Sequence, residues 1–282
     1  MRRFRYVHCD VFTETPLAGN QLAVFTDARD LDSLTMQALA AEVKFSESVF
    51  VLPPQVEGAD VRIRIFTPHN ELPFAGHPVL GAAFVLGGPL QRVVLRIETG
   101  AGVVPVELER EGAEIRFGWM EQPLPGWTAS PDPAALFAAL GVAGSELPVD
   151  SYDLGPGHSY VALGSPEEVA ALQPDFAAIE ALTDHGVVCF ARSGKTWKAR
   201  VFVPGHGVPE DPATGSAAGP LSVHLARHGA IAFGEEIEIT QGDEIGRPSR
   251  LFARADGSES ALERVIVGGA AVLVARGEFS LP

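Results

Sequence analysis

The stretch "RIFTPHNELP" (64–73) returns later in the chain, altered but recognisable, as "RVFVPGHGVP" (200–209). Arg64, Phe66, Pro68 and Pro73 recur as Arg200, Phe202, Pro204 and Pro209, each 136 positions on. Small residues and then an apolar run follow both copies, "FAGHPVLGAAFVL" in one and "EDPATGSAAGPLSVHL" in the other. Two more segments match at similar offsets: "GNQLAVF" (19–25) with "GHSYVAL" (157–163), and "IET" (97–99) with "IEIT" (237–240). Collinear matches spaced near half of a 282-residue chain point to an internal duplication, so the chain should build one substructure twice.

Each half carries the same kinds of element. "YVHCDVF", "LAVFTD", "SVFVLP", "VRIRIFTP", "VVLRIETG", "VPVELER" and "AEIRFGWM" are rich in Val, Ile and Phe and read as strands. Residues 32–44 read as an amphipathic helix with Leu34, Ala38, Leu39 and Ala41 inward. "HPVLGAAFVLG" (77–87) is apolar all round, as a fully buried helix would be, with His77 as its cap and Pro78 at the first helical position. The proline-rich stretch 121–133 reads as a linker. Beyond it come a helix near 133–140, strands near 158–163 and 186–191, and "KARVFVP" leading into a second buried helix after Ser216. The expected fold is α+β: two pseudo-symmetric, barrel-like domains, 1–124 and 125–282, each wrapped around one apolar helix. The last strand is free to pair back with the first domain. With 46% hydrophobic residues the chain can fill two cores.

Charge narrows the choice of partner. A net charge of −15 repels nucleic acid and anionic membrane surfaces, which leaves a small ligand. The N-terminus lacks the apolar core of a secretory signal, and no run approaches the length of a membrane span. The two cysteines, Cys9 and Cys189, support neither a disulfide framework nor a cysteine-rich zinc site, in keeping with a cytoplasmic protein.

The stretch "VPEDPATGSAAGPL" (208–221) has the small residues of a ligand-approached turn but not the lysine of a phosphate loop. Two such turns, each opening a helix into one cleft, would offer backbone N–H groups and partial positive charge to a carboxylate. Proton-transfer candidates flank them: Glu210 and Asp211 before the second helix, His77 at the first, and Glu47 in "FSESVFVLP". Capping or turn formation would equally explain Asp211 and His77, and a solvated strand end would explain Glu47. His158, His206, His224 and His228 show no metal-ligand spacing and read as structural or surface residues, so no metal is expected.

"DVFTETPLAGNQLAVF", "FSESVFV", "RIRIFTPHNELPFAGHPVLGAA" and "EDPATGSAAGPL" together resemble the PhzF family of phenazine-biosynthesis isomerases, in the family's order and over nearly the whole chain. The resemblance implies a diaminopimelate-epimerase-like fold, a cofactor-free site, commonly a homodimer, and isomerisation of a small cyclic amino acid such as trans-2,3-dihydro-3-hydroxyanthranilate. It places Glu47 as general acid/base and His77 and Asp211 as its partners, with Gly76, Gly215 and Ser216 in the turns that contact substrate. Partial desolvation would tune a shuttle at Glu47 towards neutral pH. Gln21 and Val79 depart from the family pattern, which usually has proline and often threonine there. Epimerases of the same fold use two thiols, and neither Cys9 nor Cys189 lies in "FAGHP" or "DPATGS". A two-thiol epimerase and a non-catalytic carboxylate-binding protein are the alternative readings.

Overall fold

The structure is a computed structural model that describes residues 2–130 and 133–281, apart from the side chain of His206. It divides into two compact units, one of Met1–Glu121 with Gly268–Pro282 and the other of Gln122–Val267.

The first unit contains β1 (Arg2–Val11), β2 (Asn20–Phe25), α1 (Ser33–Val43), β3 (Glu47–Leu52), β4 (Val61–Phe66) and β5 (Glu71–Leu72). α2 (Gly76–Leu90), β6 (Val94–Thr99), β7 (Gly102–Glu111) and β8 (Glu114–Gln122) follow. The second unit contains β9 (Gly126–Ala129), α3 (Ala134–Leu140), β10 (Asp150–Asp153), β11 (Gly157–Ala162), α4 (Pro166–Ala171) and α5 (Phe176–Leu182). It continues through β12 (Gly186–Ser193), β13 (Thr196–Val203), β14 (Val208–Asp211), α6 (Gly215–Arg227), β15 (Glu236–Gln241), β16 (Ser249–Ser258) and β17 (Ala261–Gly269). The last strand, β18 (Ala271–Leu281), pairs antiparallel with β1 along its length, within the first unit.

The duplication is visible in the pairing. β2 runs parallel to β3 across α1, and β11 runs parallel to β12 across α4 and α5. β3 then pairs antiparallel with β4, as β12 does with β13. β4 reaches parallel β6 across α2, and β13 reaches parallel β15 across α6. Each unit is therefore a strongly curved sheet around one helix. Every residue from Gly76 to Val85 of α2 and from Gly215 to Ala226 of α6 is buried. Burial on all sides requires small residues where strands approach. A Cβ on Gly81 would lie 2.6 Å from Leu22 and 2.7 Å from Val11, so glycine lets α2 settle onto β1 and β2.

The arginines of the repeat have matching jobs. Arg64 forms a bidentate ion pair with Glu71 (2.7 and 2.6 Å), and Arg200 does the same with Glu210 (2.9 and 2.7 Å). Each guanidinium also lies 5.0 Å from the ring of the phenylalanine two residues on, Phe66 or Phe202. Arg64 reaches Ser33 of α1, while Arg200 donates to the carbonyls of Val169, Ala170 and Leu172 around α4. In both units the arginine ties a hairpin to a crossover helix.

Some expectations need correction. Phe66 opposes Glu71, but Phe202 opposes Glu210 across a longer, bulged hairpin. Pro73 therefore corresponds to Pro212 and not to Pro209. On α1 Leu39 is buried as expected, but its buried neighbours are Met36 and Ala40, while Ala38 is exposed and Leu34 is 83% exposed. The competing set has the same helical spacing, and packing selected it. Part of the expected linker is strand: β9 pairs with β10, setting Trp127 opposite Tyr152. Pro131 and Asp132 of that stretch lie outside the described residues.

Burial separates the two arginine clamps energetically. The Arg200–Glu210 side chains are 8% and 7% exposed, against 19% and 41% for Arg64–Glu71. Arg200→Met strands a buried carboxylate and should cost about 3–5 kcal/mol. Arg64→Met should cost about 1 kcal/mol or less. Urea denaturation of both variants checks the order, which equal losses would contradict.

Candidate active site

In the first unit the parallel register sets Glu47, the first residue of β3, beside Leu22 of β2. His77 is the second residue of α2. Its Nε2 lies 3.5 Å from Glu47 Oε2, slightly beyond an ordinary hydrogen bond. On the other side of the ring, Asn20 Nδ2 lies 3.2 Å from Nδ1. An amide nitrogen only donates, so Nδ1 accepts and the neutral ring carries its proton on Nε2, facing the glutamate. Burial pushes the His77 pKa down to about 3, against a weaker upward pull from the Gln21 main chain, so the imidazole is neutral at ordinary pH. The Glu47 side chain keeps 15% exposure, the partial desolvation expected of it.

His77 is not the cap of α2. Ala75 holds that position in extended conformation without a side-chain cap bond, and Gly76 opens the helix. The ring is thereby turned into the unit towards Asn20 and Glu47. Asn20 is a site residue that sequence reasoning missed, although it sits in the quoted "GNQL" stretch. Val79 is fully buried in α2.

In the second unit, Asp211 ends β14 opposite Val201 and is 7% exposed. Thr214 Oγ1 donates to Asp211 Oδ2 at 2.6 Å. Gln241, at the end of β15, donates from Nε2 to the Asp211 carbonyl (2.8 Å) and to Thr214 Oγ1 (3.0 Å). Its Oε1 accepts from the Thr214 N–H at 3.2 Å. The following Gly242 has φ +83°, and a Cβ there would collide with the Arg247 carbonyl and lie 2.6 Å from that of Pro212. The turn before α6 is thus packed directly against the end of β15. Gly215 and Ser216 open α6, and buried Gln122 donates to the Gly215 carbonyl at 2.8 Å. Glu210 is committed to Arg200, which removes it from the proton-transfer candidates.

The two scaffolds are equivalent and their chemistry is not. Ser48 opposes Phe66 as Val187 opposes Phe202, so Gly186 stands where the first unit has Glu47. Ser216 takes the place of His77, while Leu72 of the first unit takes the place of Asp211.

Two of the set-aside histidines do come together. His224 of α6 and His228, the C-cap of that helix four residues on, meet Asp150, and their possible ligand atoms all lie within 4.8 Å. That i, i+4 spacing is ligand-like, and the expectation from sequence overlooked it. However, Arg227 places a guanidinium nitrogen 2.7 Å from the same Asp150 oxygen that His228 Nε2 approaches at 2.8 Å. The guanidinium, 4.5 Å from the Trp127 ring, takes the place of a cation. Hydrogen bonds from His224, His228 and Arg227 outweigh burial and hold the Asp150 carboxyl well below the usual carboxylate range. His158 is buried in β11, and the side chain of His206 lies outside the described residues. Both thiols, Cys9 and Cys189, are fully buried and burial pushes them far up, away from the thiolate form. Among the described residues no helix is long and apolar enough to cross a membrane.

Paired curved sheets around buried helices define the diaminopimelate-epimerase-like class. A protein of Agrobacterium radiobacter described as a probable proline racemase shares this fold (TM-score 0.73, 10% identity, 99% of this chain and 93% of that one). A PhzF-family phenazine biosynthesis protein of Bacillus anthracis is nearer, with a TM-score of 0.87 at 26% identity over the whole of both chains. The family model described as phenazine biosynthesis-like protein matches residues 9–277, and the chain belongs to that family. It is 50% identical over 277 residues, 98% of this chain and 99% of the relative, to the trans-2,3-dihydro-3-hydroxyanthranilate isomerase of Pseudomonas aeruginosa.

The buried imidazole makes a pH prediction. Below its unfolded pKa of 6.5, the unfolded chain binds a proton at His77 that the folded protein refuses down to about 3. Stability from this group is therefore full above pH 6.5 and falls by up to about 1.4 kcal/mol per pH unit below it. Urea titrations at pH 7 and 5 should show a shallower loss for His77→Gln than for wild type. Equal slopes would contradict a neutral His77.

Proposed function

We propose that the protein isomerises a small unsaturated cyclic amino acid, with trans-2,3-dihydro-3-hydroxyanthranilate as the substrate to test first. The observation that carries this reading is the Glu47 carboxylate, partly desolvated and 3.5 Å from a buried, neutral His77, in a chain half identical over its length to an isomerase of that compound.

In the proposed chemistry Glu47 removes a proton from an activated carbon of the conjugated system, and the same carboxyl group, its proton exchangeable with solvent, delivers a proton to another carbon. Electrons shift within the substrate, nothing is oxidised overall, and the carboxyl group ends as it began. His77, with its proton on Nε2, steadies the carboxylate form of Glu47. Asp211 helps hold the substrate and position its protons, and main chain at Gly76, Gly215 and Ser216 contacts the substrate carboxylate. This scheme requires neither metal nor cofactor. Deep burial of both thiols favours it over two-thiol epimerisation. The reading extends to a homodimer, as the family resemblance implies, and to the cytoplasm, where two unbridged thiols would remain reduced.

Glu47→Gln should lower kcat by about 10²–10⁴-fold while the Kd for the amino acid stays within about threefold. In D₂O the wild type should place deuterium on a ring carbon of the product. Undiminished turnover in the variant would remove Glu47 from the role, and a product free of label would argue against proton transfer through an exchangeable group.

A further inference from the structure

The hydrogen-bond chain behind Asp211 has a direction that its atoms dictate. Gln241 Nε2 can only donate, so Thr214 Oγ1 accepts from it at 3.0 Å. The threonine hydroxyl has one proton, and the remaining short contact, 2.6 Å to Asp211 Oδ2, takes it. Gln241 is itself held against reversal. Its Oε1 accepts the Thr214 N–H at 3.2 Å and its Nε2 also donates to the Asp211 carbonyl at 2.8 Å. A flipped amide would set the Gln241 oxygen against that carbonyl and its NH₂ against the Thr214 N–H. Asp211, Thr214 and Gln241 are 7%, 8% and 2% exposed, so water does not readily compete for these bonds.

We propose that Gln241 is a positioning residue for the isomerase, acting through Thr214 to lock Asp211 Oδ2 as a permanent hydrogen-bond acceptor. A proton on Asp211 is then favoured on Oδ1, because a carbonyl-type oxygen accepts the Thr214 bond better than an acid hydroxyl does. The aspartate enters the reaction in one rotamer and with one oxygen for proton traffic. This inference rests on the role proposed above for Asp211 and deepens it. Sequence gives no hint of it, because Gln241 lies 30 residues from Asp211 and belongs to neither small-residue motif.

Kinetics with trans-2,3-dihydro-3-hydroxyanthranilate on purified full-length variants provide the test. Thr214→Val, which keeps shape but has no hydroxyl, should lower kcat about 10–100-fold with KM within about threefold. Gln241→Glu, which cannot donate to Thr214, should do the same. Thr214→Ser, which restores the donor, should recover most of the loss. If Asp211→Asn is impaired while Thr214→Val and Gln241→Glu turn over like wild type, Asp211 acts but is not held in this way, and the inference falls alone. If Asp211→Asn itself turns over like wild type, the role of Asp211 falls and takes the inference with it. A double-mutant cycle of Thr214→Val with Asp211→Ala, which leaves no acceptor, followed by thermal unfolding, reads the same bond without substrate. The two Tm losses should overlap by about 2–4 °C, because one hydrogen bond is lost only once. Strictly additive losses would overturn the proposal even in an enzyme whose substrate is a different one.

Discussion

In each unit an arginine on one strand grips a glutamate on the short strand that follows, and this grip determines where the chain turns into its buried helix. Arg64–Glu71 closes the β4–β5 hairpin and Arg200–Glu210 closes β13–β14. The residue after each glutamate is delivered to the mouth of a helix: Leu72 in one unit, Asp211 in the other. The position of Asp211 is thus a consequence of a structural ion pair one residue away. Glu210 and Asp211 look interchangeable as acids, yet the first holds the scaffold and the second faces Thr214.

Duplication supplied one scaffold twice, and the side chains it carries have diverged. The first unit has a carboxylate at the start of its third strand and an imidazole in the first turn of its helix. The second has glycine and serine there, and puts its carboxylate at the end of the hairpin. Support has diverged as well. Asn20, from β2, sets the proton of His77, whereas Gln241, from β15, sets the hydrogen bonding around Asp211. In both cases a side-chain amide is chosen because its donor and acceptor ends differ, so it can impose a direction that a hydroxyl alone could not.

Much of this could be read from residues in order. Arginine, phenylalanine and proline at a constant offset revealed the duplication, and runs of small and apolar residues after each repeat revealed both central helices. Misreadings came where three-dimensional selection broke a tie. Leu34 and Met36 belong to rival stripes of equal spacing on α1, and only packing chose Met36. Pro209 copies the spacing of Pro73, yet a bulge between Phe202 and Val203 makes Pro212 its counterpart. His77 looked like a cap because it precedes a proline, but the helix begins two residues before that proline, at Gly76. Asn20 and Gln241 escaped notice because polar residues in strands have no periodic signature, and their partners lie 57 and 27 or more positions away.

The central claim is that Glu47, backed by a neutral His77, is the group that touches the reacting carbon. A crystal structure of the Glu47→Gln variant with trans-2,3-dihydro-3-hydroxyanthranilate bound tests it most directly. The carbon that loses its proton should lie about 3–3.5 Å from the residue-47 side chain, with the substrate carboxylate on main-chain N–H groups at the start of α2 or α6. A substrate seated with its ring carbons out of reach of residue 47 would contradict it.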